Sequence, residues 1–294
     1  MLIKKGSSVS YLEDFKNGKI KLGLDTGTAL DTYLRFKRKQ LNVILGHDNV
    51  GKTYFFEWYM LVLAIRHGLK FCVWSGENTH GQILRDMIQM YKGKSFKELN
   101  INEIKSANMF LEQFFTFVDN KKLYKPKELL QIFADVDCDA CLIDPFTGLD
   151  RNMTYEGNYN FLNQARQFCN ITGKSIYLSS HPNSESGRSG NLYSDGHEWA
   201  GHLKAPLKDH IEGGKSFLNR CDDMIVIHRL IKHETMKFET MISTEKIKDK
   251  ETGGELTEYQ MPLLFSYNYG LGFTIQGKDA LHEERIKTSQ TRIK

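Results

Sequence analysis

Eight residues, Gly46-His47-Asp48-Asn49-Val50-Gly51-Lys52-Thr53, have the spacing of a phosphate cradle: a glycine, four variable positions, then Gly-Lys-Thr. Anionic phosphates need donors that are already oriented. Successive backbone N–H groups of a glycine-rich turn, aimed by a helix N-terminus, supply them. In such a loop Gly46 and Gly51 let the backbone wrap closely, Lys52 reaches the terminal phosphates and the Thr53 hydroxyl ligates Mg²⁺. The flanks fit this use, since Asn42 to Leu45 reads as a short buried strand and Tyr54 to His67 as a helix closed by Gly68. A glycine turn that merely ends a strand is the plainer reading. The strand before it and the helix after it favour a nucleoside triphosphate site.

Cleaving a triphosphate takes one carboxylate for the metal and another for the attacking water. Asp144 ends the apolar run Ala140-Cys141-Leu142-Ile143, which puts it at the C-terminal edge of a sheet and makes it the second candidate Mg²⁺ ligand. The same position would suit an aspartate that opens the turn Asp144-Pro145. Glu77 follows the strand-like Phe71-Cys72-Val73-Trp74 and can face the γ-phosphate and polarise a water, or equally cap the next helix. His181 ends a strand from Ser175 to Ser180. From there it could bond the γ-phosphate and report hydrolysis to the loop behind it, or simply pack at the surface.

These residues need a sheet to hold them. Phe71 to Trp74, Cys141 to Ile143, Ile176 to Leu178 and Met224 to Ile227 are short and apolar throughout, as strands buried on both faces of a largely parallel sheet must be. Gln82 to Met90 and Phe161 to Cys169 have helical spacing, and Pro126 sits where a first helical turn begins. After Leu230 the pattern changes: Phe238 to Ile247 and Leu263 to Tyr267 read as an antiparallel hairpin around Thr252-Gly253-Gly254. The fold class is α/β, a mostly parallel central sheet flanked by helices with a C-terminal antiparallel hairpin. The stretch from Asn183 to Lys215 is too long for a passive connection. Residues 1–22 read as an N-terminal arm, 23–276 as one ATPase domain and 277–294 as a charged tail.

Composition narrows the partners. A net charge of +4 is too mild to mark a nucleic-acid binder, so any DNA site must come from local clustering. No stretch approaches a membrane span and no signal peptide opens the chain. An odd number of cysteines, five, lies mostly in apolar segments, which suits reduced thiols in a cytoplasm. Cys138 and Cys141 form a CxxC without a second pair at zinc spacing. His181, His197, His202 and His210 likewise fit no zinc pattern.

Taken in order, these segments resemble the hexameric replicative DNA helicases of the DnaB and Twinkle type, above all phage-encoded members. The resemblance begins at Gly23-Leu24-Asp25-Thr26-Gly27 and runs through the phosphate loop, Ser75-Gly76-Glu77-Asn78, Leu142-Ile143-Asp144 and Ser180-His181-Pro182. It continues through Ile211-Glu212-Gly213-Gly214-Lys215 and Asn219-Arg220-Cys221-Asp222-Asp223 to a late strand ending at Arg229, and so spans about residues 23–274. It implies a RecA-like ATPase core, with ATP and Mg²⁺ as cofactors and Glu77 as the catalytic glutamate. Lys52 would serve on the phosphates and His181 as the sensor. It also implies a ring, a hexamer, that moves on single-stranded DNA and hydrolyses ATP between subunits. Tyr267-Asn268 is similar to a pair that packs on the base in phage members, with Arg85 available for the other face; Tyr267 could also be a core aromatic.

Two departures stand out. The family's trans-acting finger reads Lys-x-Arg before a glycine turn, whereas this chain has Lys246-Ile247-Lys248. A lysine lacks the planar fork of an arginine, which makes Arg229 a rival for the finger. No primase or collar segment precedes the core, so the resemblance implies a separate primase and a loader. For DNA, Asn183, Arg188, Lys204, Lys208, Lys215 and Arg220 are the candidate contacts, with Tyr193 and Trp199 available to stack on bases. A solvated loop with ordinary surface charge is the alternative. A RecA-like recombination ATPase on DNA filaments and a regulatory ATPase without nucleic acid are the rival functions.

Overall fold

The fold is given by a computed structural model, which describes residues 2–152, 154–258, 260–282 and 284–285. Its strands are β1 (Leu41–Leu45), β2 (Phe71–Ser75), β3 (Phe115–Phe117), β4 (Ala140–Asp144), β5 (Ser175–Ser180), β6 (Asp223–His228), β7 (Glu239–Ile247), β8 (Leu263–Tyr267) and β9 (Phe273–Thr274). They form one sheet in the order β3-β2-β4-β5-β1-β6-β7-β8-β9. The pairs from β3 to β6 are parallel and those from β6 to β9 antiparallel, as the sequence pattern requires. β1, β2, β4, β5 and β6 are buried at every position. That explains why their sequences do not alternate: helices cover both faces.

The helices are α1 (Val9–Lys16), α2 (Lys52–His67), α3 (His80–Lys92), α4 (Ile101–Leu111), α5 (Pro126–Asp135), α6 (Tyr155–Thr172) and α7 (Ser216–Arg220). Residues of α2, α3 and α4 share one core cluster, and residues of α5, α6 and α7 share the other, on the opposite face of the sheet. α2 is apolar almost all round and buries Phe55, Phe56, Trp58 and Tyr59. Truncating one such aromatic to alanine costs about 3–5 kcal/mol. This helix is therefore the anchor that holds the phosphate loop still.

Several boundaries differ from expectation. α2 begins at Lys52 rather than Tyr54, because Gly51 takes a left-handed conformation (φ 88°) and releases the helix directly from the loop. α6 extends beyond Phe161 to Cys169 at both ends. β3 and β9, of three and two residues, are too short to leave a periodic signal. β7 and β8 pair only from Glu239↔Ser266 to Ile242↔Leu263, so the glycines at 253 and 254 belong to a wide connection. Its Thr252 carbonyl accepts the Gly23 N–H, which ties the start of the core to this loop.

α1 buries none of its residues, and Tyr11, Leu12 and Phe15 on it are exposed. The charged stretch from residue 277 starts packed: Ala280 and Leu281 are buried, Glu284 pairs with Arg66 at 2.7 Å and Arg285 donates to the Met90 carbonyl. Residues 286–294 of that expected tail lie outside the described residues. Among the described residues no helix is long and apolar enough to cross a membrane. All five cysteines are free and buried, with the Cys138 and Cys141 sulfurs 3.7 Å apart.

Candidate active site

Sheet order brings the expected residues together. Along the C-terminal edge run β2, β4, β5, β1 and β6, so the residues that follow them stand in the sequence Glu77, Asp144, His181, phosphate loop, Arg229. The loop itself is built by two glycines with distinct duties. A side chain at Gly46 would collide with the Ile227 carbonyl of β6, and Gly51 supplies the positive φ. Asn49 is also left-handed (φ 60°), a conformation asparagine tolerates better than most residues.

Lys52 is nearly buried, and its ammonium donates to the carbonyls of Gly46 and His47, each at 2.9 Å. Burial pulls its pKa down, opposed by the charges of Asp144, Asp48 and Glu77. The Thr53 hydroxyl donates to Asp144 Oδ2 at 2.5 Å, and Asp144 is buried. A hydroxyl and a carboxylate converging at the start of a phosphate-binding helix form the hard oxygen donor pair that suits Mg²⁺.

His181 sits between three partners. Its Nδ1 lies 2.7 Å from Asp48 Oδ1 and its Nε2 3.6 Å from Glu77 Oε1, while Lys52 Nζ is 3.4 Å from Nδ1. A carboxylate can only accept, so Nδ1 carries a proton toward Asp48 and Lys52 is a near neighbour rather than its partner. Glu77 is half exposed at the mouth of the cleft. Its turn is held by Ser75 Oγ, which accepts the Asn78 N–H, and by Asn120, which donates to the carbonyls of Ser75 and Asn78 at 3.0 Å. Nothing in the sequence around Asn120 marks this role, because it comes from the connection after β3. Thr79 and Gln82 cap α3 reciprocally, so Glu77 is not the cap of that helix. The cleft has a volume of about 570 Å³ and is lined by His47, Asp48, Glu77, His181, Asn183 and Glu212, among others.

On the other side of the loop, Arg229 donates to the Asn49 carbonyl at 3.1 Å, and its guanidinium stands 5.7 Å from the centre of the Tyr267 ring. Tyr267 packs edge-on against Tyr54 at 5.3 Å, and the Tyr54 hydroxyl accepts the Gly272 N–H. Burial raises the Tyr54 pKa, so its proton is retained. Arg85, half exposed, pairs instead with its neighbour Asp86 at 2.8 Å. The cation that faces Tyr267 is thus Arg229, a pairing hidden in the sequence because it depends on β6, β7 and β8 lying side by side.

No family profile matches the sequence, and no curated protein does. Solved structures do. One, a structure of an ATPase domain, matches over 92% of this chain and 99% of that one, with a TM-score of 0.69 and 12% identity. A DnaB-like replicative helicase, determined with its interactions with primase, matches over 92% of this chain and 68% of that one, with a TM-score of 0.71 and 12% identity. The chain has the fold of a DnaB-type helicase ATPase domain.

Within this fold the two finger candidates separate. Lys246 and Lys248 stand where β7 pairs with the N-terminal end of β6, the sheet edge opposite their own phosphate loop. Lys246 donates to the Leu218 and Cys221 carbonyls at 2.6 and 2.7 Å and so closes the end of α7. Lys248 is 57% exposed and pairs with Asp222 at 3.0 Å. Arg229, by contrast, contacts its own phosphate loop.

The long connection is compact. Asn183 caps a short turn and donates its backbone N–H to the His210 carbonyl, while Arg188 is exposed beside Glu185. Tyr193 stacks on His197 at 4.4 Å and meets Trp199 edge-on at 5.2 Å, with Lys204 5.7 Å above the Tyr193 ring. The two aromatics expected to stack on bases thus contact each other edge-on. Lys208 and Lys215 are exposed. Arg220 lies apart, at the end of α7, over the Tyr159 ring and bonded to its hydroxyl.

Proposed function

We propose that the chain is the ATP-hydrolysing core of a replicative DNA helicase, working as a ring, most simply a hexamer, that moves along single-stranded DNA. The observation that carries this reading is the shared wall of the cleft: Glu77, His181 and the phosphate loop line it together with Asn183, where the long basic connection begins. A change at the terminal phosphate therefore reaches the connection without an intermediary.

The roles follow from chemistry. Backbone N–H groups of residues 46–53 would cradle the phosphates, and Lys52 would leave its two carbonyls for phosphate oxygens. Thr53 and Asp144 would hold Mg²⁺, which when bound neutralises charge on the phosphates. Glu77 orients the attacking water, and His181, already between Glu77 and Asp48, senses the γ-phosphate. Arg229 and Tyr267 hold the base in the same subunit. Lys248 of a neighbouring subunit supplies the trans charge, since it lies on the edge away from its own nucleotide. Asn183, Arg188, Lys204, Lys208 and Lys215 grip DNA phosphates, with Arg220 peripheral to them. Residues 1–22 form an arm outside the ATPase domain. A primase and a loader would be its partners, in a cytoplasm.

Strand displacement on a forked DNA duplex, read beside native mass, tests this reading. ATP-dependent displacement by a closed oligomer is the expected result. Extended filaments that pair strands without displacing them would point to recombination instead.

A further inference from the structure

His47 does more than contribute backbone to the phosphate loop. Its Nε2 lies 3.1 Å from Ser186 Oγ, and Ser186 is buried. The Ser186 hydroxyl already donates to the Asn183 carbonyl at 2.8 Å, so its oxygen must accept from His47 and the imidazole carries its proton on Nε2. A second histidine does the same work nearby. His228, at the end of β6, donates from Nε2 to the Leu203 carbonyl at 2.8 Å, and the two rings meet edge-on at 5.8 Å. Ser186 belongs to the outgoing arm of the long connection and Leu203 to its returning arm. The arms are bonded to each other through Leu192 and Leu203 and through the Tyr193 N–H and the His202 carbonyl. Beside these contacts lies a cavity of about 530 Å³, lined by His47, Asn49, Leu192, Leu203, His228 and Arg229 among others, which gives the connection room to shift.

We propose that His47 and Ser186 form a positioning contact that couples nucleotide state to DNA grip, separately from His181. The inference rests on the motor reading above. Lys52 now holds the His47 carbonyl at 2.9 Å. Phosphates that draw the ammonium away release that carbonyl, the loop resets, and the His47 ring carries Ser186 and the outgoing arm with it. Linkage makes the effect reciprocal: DNA that fixes the arm changes the affinity for ATP by the same factor.

The test reads affinity for a non-hydrolysable ATP analogue, with Mg²⁺, in the presence and absence of an oligothymidylate. Ser186→Ala should keep the DNA-free affinity within about twofold. It should also cut the DNA-induced change by about fivefold or more, the scale of typical coupling. Ser186→Thr, which retains a hydroxyl, should preserve the change. Once His47→Ala has removed the ring, Ser186→Ala should have no further effect on coupling, whereas a purely structural role for Ser186 would give additive losses. A wild-type protein that responds to DNA, with a Ser186→Ala variant that responds equally, would overturn this proposal alone. A wild-type affinity blind to DNA would overturn the motor reading and this contact together.

Discussion

Arg229 and Tyr267 face each other beside the phosphate loop, guanidinium to ring centre 5.7 Å, although they come from different strand ends. Arg229 Nε is buried without a hydrogen-bond partner among the described residues, and Tyr267 is half-buried against Tyr54. In the proposed function this cation and ring are the surfaces offered to the nucleobase.

Tyr267→Ala should therefore weaken ATP binding by about three- to tenfold, the scale of one lost aromatic or cation–π contact. Inorganic tripolyphosphate, which has no base, should compete equally well against both proteins. Equal losses for ATP and tripolyphosphate would show that Tyr267 supports the loop instead.

Lys52→Ala and Glu77→Gln should fail differently. The first removes the ammonium held at the Gly46 and His47 carbonyls and weakens both binding and turnover. The second keeps the shape of the side chain and loses the base. Equilibrium binding and single-turnover hydrolysis should show ATP retained, with turnover lower by about two orders of magnitude or more. Near-normal turnover would remove Glu77 from the chemistry.

Lys246 and Lys248 should separate stability from catalysis. Lys246→Ala deletes the donor to two carbonyls at the end of α7 and should lower unfolding stability by about 1–3 kcal/mol in denaturant titrations. Lys248→Ala breaks a largely exposed contact, worth less than about 1 kcal/mol to the fold, yet should abolish DNA-stimulated hydrolysis. Mixing Lys248→Ala with Glu77→Gln subunits should restore part of the rate, because intact groups meet at some boundaries. Normal hydrolysis by Lys248→Ala would remove it as the trans cation.

Much of this was legible in the chain because the sheet is buried on both faces. Apolar runs marked β1, β2, β4, β5 and β6, and the polar residues after them marked the site's edge. Sheet order was not legible, and it decides that Arg229 rather than Arg85 meets Tyr267. The lysine pair also reads differently in three dimensions: one caps α7 and the other reaches outward, a split that alternation along β7 cannot express. Tyr193 and Trp199 satisfy each other inside the long connection, a contact set by its closure rather than by any local spacing.

His228 gives the fold a pH signature. Burial lowers its pKa from 6.5 to about 4; the hydrogen bond to the Leu203 carbonyl opposes that shift and the nearby His47 adds to it. The unfolded chain then binds more protons between those values, so this residue's contribution is full above pH 6.5 and is lost as pH falls toward 4. The difference amounts to about 3 kcal/mol. Melting curves of the wild type and His228→Asn should converge as pH drops through that window. A constant gap from pH 7 to 4 would mean the imidazole does not titrate there.

In the proposed motor, ATP hydrolysis at Glu77 answers to single-stranded DNA held by the connection that begins at Asn183. The steady-state ATPase rate, measured with and without oligothymidylate at low and moderate salt, separates this motor from a DNA-independent ATPase. The expected rate rises severalfold with DNA, and half-saturation weakens steeply as salt increases, with Lys215→Ala flattening that dependence by about one unit. Hydrolysis that is indifferent to DNA at both salts would contradict it.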